Sequence, residues 1–270
     1  MSGHQTVGVV GLGRMGLTLA AGFSRAVGAE GVFAAGRSPA SVARLRAAVP
    51  GATVLPLPDL PDRAEVIVLC VRNADLPSVL DGLRPRLGPR HVVVAVNNGL
   101  LLRVLAEAVE GPVAKLIPSV GNEAGVGATL LVPGERLTER GTEDLLALLR
   151  AFSTPFVIAE DQGRAATDLA SCGPALLAAA ARAMVDAQQE RGAPLPRELA
   201  EQLVMQGLRA ASRLVGQGAG LDEVVQRVAV PGGNTAAALD AARDGLTAAW
   251  HAAFEATADN ERSKPAPELG

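Results

Sequence analysis

Two glycine-rich segments carry the chemistry that this chain's residues can support. Gly11-Leu12-Gly13-Arg14-Met15-Gly16 has the spacing G-x-G-x-x-G and follows the strand-like run Thr6-Val7-Gly8-Val9-Val10. In that setting Gly11 permits a tight turn, Gly13 lets backbone approach a pyrophosphate, and Gly16 allows a helix to pack closely on a strand. The helix that follows offers free N–H groups and a partial positive charge to phosphate. The second segment is Val230-Pro231-Gly232-Gly233-Asn234-Thr235. Pro231 fixes the turn entry, two glycines expose backbone N–H groups, and Asn234 or Thr235 can cap the next helix. This makes a second anion site, suited to a carboxylate; a plain helix cap is the alternative reading.

Position 37 bears on which dinucleotide is bound. An acid usually ends the second strand where a free ribose 2′-hydroxyl is gripped. Here the stretch reads Ala34-Ala35-Gly36-Arg37-Ser38-Pro39. Arg37 can form a charge-assisted pair with a 2′-phosphate, and Ser38 can add a hydroxyl donor, so NADPH is the expected cofactor. Val71 and Asn97, at the ends of two later apolar runs, complete the expected cofactor-binding set.

What is absent narrows the chemistry. The chain has no Tyr, and Lys occurs only at Lys115 and Lys264. His4, His91, His251, Cys70 and Cys172 are scattered and make no zinc pattern. Two lone cysteines give no disulfide framework, which fits a reducing cytosol. The net charge of −3 argues against a nucleic-acid or anionic-membrane partner, and 2% aromatics leave no base-stacking platform. The charge-free run Leu169 to Ala181 is about 13 residues, whereas a bilayer needs about 20. A cytoplasmic protein is expected.

The elements that must hold these residues alternate in the first half. Strand-like runs at Val7–Gly11, Gly31–Ala35, Glu65–Val71, His91–Val96 and Val113–Ile117 are separated by helical patterns at Leu12–Val27, Pro39–Ala48, Leu76–Leu87 and Leu100–Val109. Continuous apolar runs suit parallel strands covered on both faces. This predicts an α/β fold with a Rossmann-type doubly wound parallel sheet. Ala128–Val132 and Pro155–Ile158 read as outer strands with a helix at Thr142–Ala151 between them. From 160 the pattern is all-α: Gly163–Glu190, Arg197–Val215, Leu221–Val228 and Thr235–Thr257. The expected domains are therefore 1–159 and 160–258, with a polar, disordered tail at 259–270. The second domain is rich in Ala and poor in aromatics, which makes a thin core. Either it is a self-sufficient bundle or a second copy supplies the missing apolar surface; the second is the expectation.

GLGRMG, GRSP, Ser171-Cys172-Gly173-Pro174-Ala175 and VAVPGGNTAAAL resemble, in order, the signatures of the pyrroline-5-carboxylate reductase family. The resemblance spans about Thr6 to Thr257. It implies an NADPH-binding Rossmann domain and an all-α dimerisation domain, in a homodimer or a larger homo-oligomer. It implies reduction of a small cyclic imine acid. Gly232, Gly233 and Asn234 would then hold the carboxylate, with Ser171 also in the substrate site and the Thr235 hydroxyl on the imine nitrogen. Two stretches depart from the family pattern. Ile117-Pro118-Ser119-Val120-Gly121-Asn122-Glu123 replaces a Met-Pro-Asn-Thr-Pro-like stretch, and Arg72-Asn73 replaces Lys-Pro. The Ile-Pro-Ser form is similar to the late-competence branch of the family. Two rival functions follow: an NADPH-binding regulator without turnover, and a 3-hydroxyacid dehydrogenase. The latter needs a Lys that 163–190 does not contain.

Overall fold

The computed structural model describes residues 5–97, 99–192 and 194–263. The chain forms two compact units. One runs to Pro174 and takes in Glu261–Ser263; the other is Ala175–Asn260.

The first unit is an eight-stranded sheet in the order β3-β2-β1-β4-β5-β6-β7-β8. The strands are β1 Val7–Val10, β2 Val32–Ala35, β3 Thr53–Val54, β4 Val66–Leu69, β5 Val92–Ala95, β6 Val113–Pro118, β7 Gly127–Pro133 and β8 Ser153–Val157. Every side chain of β1, β2 and β4 is buried, as their unbroken apolar runs require. Neighbours pair in parallel except β6 and β7, which are antiparallel. The link 119–126 is too short for a crossover, so β7 must turn back. The sheet is thus mostly parallel, with β7 and β8 running against the first six strands.

Helices cover both faces. α1 Arg14–Val27, α2 Pro39–Ala48 and α5 Glu139–Arg150 bury Leu19, Phe23, Leu45, Leu145 and Leu149 on one side. Phe23 meets Phe152 edge-on, with centroids 5.3 Å apart. α3 Leu76–Leu83 and α4 Leu102–Ala108 cover the other face with Leu76, Leu80, Leu83 and Leu105. Strand order reverses at β1, between β2 and β4, and ligands of open α/β sheets bind beyond the strand C-termini at such a point.

Two expectations are corrected. The helix expected over 163–190 is two: α6 Gly163–Ala170 and α7 Gly173–Glu190. Pro174 has no N–H to donate back to Ala170, so the helix stops and restarts. α6 lies beyond the boundary expected at 159; it packs on β7 and buries Thr167 and Asp168, so the compact sheet unit includes it. The tail expected from 259 is helical as far as Arg262; residues 264–270 lie outside the described residues. The short strand β3 went unread, because two residues show no period. A further finding concerns length: Glu160–Glu190 meets the length and composition of a membrane crossing, which the 13-residue charge-free run did not suggest. That stretch breaks at Ser171–Cys172 and carries Asp168 buried against Arg164, 2.6 Å away.

The second unit comprises the rest of α7, then α8 Arg197–Gly216, α9 Leu221–Val228 and α10 Asn234–Arg262. Its buried apolar side chains among the described residues are Ala181, Val185 and Ala200. Leu177, Met184, Leu203, Met205, Val225 and Leu246 are all exposed. The core is as thin as its Ala content implied.

Candidate functional site

β1 ends at Val10 and the first glycine loop begins. Gly11 takes φ 93° and donates its N–H to Ala35 O at 3.0 Å. A Cβ there would lie 2.5 Å from Cys70 O. A Cβ on Gly16 would fall 1.9 Å from Gly11 O, so α1 crosses the loop at the closest approach backbone allows. Gly13 is the N-cap of α1, and a Cβ on it would meet nothing within 4 Å. Space is therefore open above uncapped N–H groups, and no acid stands in the helix's first turn. Geometry and charge both fit a pyrophosphate.

A cleft of about 580 Å³ lies to one side of this loop, lined by Gly11–Gly13, Arg37, Ser38, Arg44, Val71, Arg72 and Asp75 among others. Ser38 is the N-cap of α2, its hydroxyl oxygen accepting from Ser41 N–H at 3.2 Å, so it keeps only its proton to donate outward. Arg37 and Arg72 both reach Asp75, at 3.3 and 3.1 Å. Asn97 donates to Val71 O at 2.8 Å and to Asn73 Oδ1 at 2.7 Å. It ties the end of β5 to the turn after β4 rather than standing in the wall of the cleft.

A second cleft, about 460 Å³, shares Gly13, Cys70, Val71 and Arg72 with the first and continues past Arg14, Met15 and Gly16 to Ile117, Pro118, Thr167 and Ser171. Ser171 donates to Pro118 O at 3.0 Å, joining the α6–α7 break to the end of β6. Arg14 reaches across to Glu123 at 2.9 Å and holds that carboxyl below its usual range. Burial pushes the Cys70 thiol up to about 12, so it is not a nucleophile at neutral pH. The altered segment is tied to itself and to β7. Asn122 and Ser119 are buried, and Asn122, oriented by its neighbours, accepts from Thr129 Oγ1 at 2.7 Å and donates to Ser119 O at 3.1 Å.

The structure thus gathers Gly11, Gly13, Arg14, Met15, Gly16, Arg37, Ser38, Val71 and Ser171 along two joined clefts. Gly232, Gly233, Asn234 and Thr235 belong to the second unit. There Gly232 takes φ 75°, and Gly233 O accepts from Ala237 N–H at 3.2 Å. Gly233 is thereby the N-cap of α10, which corrects the expectation that Asn234 or Thr235 fills that place. Asn234 and Thr235 are the first two helical residues, and neither side chain is required as the cap. The sequence reading missed Arg44, Arg72, Asp75 and Thr167. Arg72 and Asp75 stand three apart and were legible as a local pair; the Arg37–Asp75 contact spans 38 residues and was not. Lys115 lines neither cleft. It is buried, pairs with Glu160 Oε1 at 2.8 Å, and the same oxygen accepts from Leu102 N–H at the start of α4, a structural role.

Comparison with known proteins matches the two parts of the chain to different family models. Residues 160–264 match the family model for pyrroline-5-carboxylate reductase dimerisation, and residues 6–99 match the model described as NADP oxidoreductase, coenzyme F420-dependent. The chain is 26% identical to ComE operon protein 4 of Bacillus subtilis, over 72% of this chain and 71% of that one. It is 27% identical to a pyrroline-5-carboxylate reductase of Mycobacterium leprae, over 95% of each. A solved Plasmodium falciparum pyrroline carboxylate reductase with NADP bound shares the fold at TM-score 0.80 and 22% identity, over 96% of this chain and 97% of that one. A glycine-loop α/β unit followed by an all-helical unit is the class that the fold defines. Within it, residues 160–264 match the pyrroline-5-carboxylate reductase dimerisation family, and the chain is similar over nearly its whole length to a reductase of that name.

Proposed function

We propose that this protein is an NADPH-dependent imine reductase that converts pyrroline-5-carboxylate, or a close cyclic imine acid, to proline or its analogue. One observation carries the reading: the open N-terminus of α1 stands between a cleft rimmed by arginines and a cleft ending at Ser171, in a chain whose helical part matches the dimerisation family. The bound dinucleotide would supply hydride to the C=N carbon. The residues of this chain bind and orient. Backbone N–H groups at the start of α1 hold the pyrophosphate, and Arg37 with Ser38 takes the 2′-phosphate. Asn97 fixes the turn that bears Val71. In the second unit, backbone N–H groups around Gly232, Gly233 and Asn234 hold the substrate carboxylate. The Thr235 hydroxyl bonds the imine nitrogen, and Ser171 completes the substrate site. No strong acid is needed, because the imine can bind already protonated; this suits a chain without Tyr.

The exposed apolar side chains of α7 and α8 meet a second copy of this chain rather than lipid, which gives a homodimer. The cytoplasm is the matching compartment, since Cys70 and Cys172 are free thiols. The helical substrate domain begins at residue 160, a reading supported by the start of the dimerisation family match.

The test is NADPH oxidation by purified protein against a panel of cyclic imines. Turnover with five-membered imine acids, and little with their esters, is expected. A second reading, a dinucleotide-binding protein without turnover, is favoured by one observation: Ser119 and Asn122 spend their polar groups on their own loop and on β7. NADPH binding with no oxidation across the panel would establish that reading and overturn the first.

A further inference from the structure

The acid missing from the end of β2 is present in the same cleft from another element. Asp75 stands at the start of α3, after β4, while Arg37 follows β2, and β1 lies between those two strands. Their ion pair therefore spans the cleft mouth beyond β1. The Asp75 side chain is 19% exposed, whereas Arg37 and Arg72 are 84% and 83% exposed. The carboxylate sits in the wall and the two guanidinium groups stand at the rim. One carboxylate oxygen engages Arg37 and the other engages Arg72.

This has opposite consequences for the two dinucleotides. A 2′-phosphate must draw Arg37 away from Asp75 and then sit close to a like charge. A free 2′-hydroxyl brings no charge and can donate to a carboxylate, the contact that an acid after β2 ordinarily makes. We propose that Asp75 is a specificity-determining residue: it restrains Arg37 and sets the ratio of NADPH to NADH affinity. The inference rests on the dinucleotide reading above and adds a residue to it. Arg44, on the same rim, leaves the arginines in excess, so NADPH is still bound.

The experiment measures Kd for NADPH and NADH by ligand fluorescence, without substrate, in the wild type, Asp75→Asn and Asp75→Ser. Two variants guard against one failing to fold, and melting curves verify each. Neutralising Asp75 is expected to raise the NADPH-to-NADH affinity ratio at least threefold, with NADPH bound more tightly. A smaller rise, no change, or a shift towards NADH overturns the assignment and leaves Asp75 as a brace for Arg37. Wild-type protein that binds neither dinucleotide overturns the dinucleotide reading, and this inference with it.

Discussion

Thr235 illustrates how a single position changes meaning once its neighbour's geometry is known. In sequence, its hydroxyl is either a helix cap or a substrate contact. Gly233 takes the cap by accepting Ala237 N–H, which leaves Thr235 one position inside the first turn of α10. Loss of a cap would cost about 0.5–2 kcal/mol, and that cost no longer applies. Thr235→Ala is expected to lower kcat/KM for an imine acid at least tenfold while Tm moves by no more than about 2 °C, since a contact made in the transition state acts on turnover. Steady-state kinetics beside a melting curve separates the two. Cys70 makes a prediction of the opposite kind, about stability. Burial raises its folded-state pKa from 9.0 to about 12. The folded state therefore favours the thiol, and the unfolded chain ionises first as pH rises. Stability contributed by the desolvated, partly buried thiol is complete below pH 9 and is lost progressively between about 9 and 12. Melting curves across that range should fall less steeply for Cys70→Ala than for the wild type.

Elements translate these residue properties into position, and α1 is the one on which most depends. Its Gly22 lies so close to Phe152 that a Cβ would stand 2.5 Å from the ring. Gly22→Ala is expected to destabilise by about 1–3 kcal/mol, because Phe152 is buried against Phe23 and must shift. Urea denaturation measures this, and an unchanged midpoint would mean the ring moves freely. Gly22 was not legible as a contact, since its partner is 130 residues away, just after α5 on the same face of the sheet. Apart from β3, the strands and α-helices before residue 118 were legible, because buried parallel strands need unbroken apolar runs and helices need their own period. Glycines 11, 13 and 16 were legible for a related reason: their spacing is a local backbone requirement. What sequence could not show was the set of charge partners. Asp75 with Arg37 and Glu123 with Arg14 join elements that only the sheet order brings together. The break at Ser171–Cys172 was readable from Pro174 but was passed over in favour of the long apolar pattern.

At the scale of the whole molecule, the two units differ in how they satisfy their own surfaces. The sheet unit has helices on both faces and a core on each. The helical unit exposes Leu177 and Met184 on α7, seven residues apart and so on one face. Light scattering at micromolar concentration is expected to show a dimer or larger and no folded monomer. Glu at both positions should abolish association and activity together. A fully active monomer would contradict the homodimer.

The rims of the sheet add a consequence of a different sort. β3, at one end, is two residues long, and β8, at the other, carries Pro155 in mid-strand. A stub and a proline-interrupted strand are poor templates for an incoming strand. Copies of this chain therefore have no ready route to fibrils grown from the native fold by sheet extension. Crowded protein should cluster reversibly through helical surfaces, and soluble assemblies rather than cross-β deposits are the form its concentrated state takes.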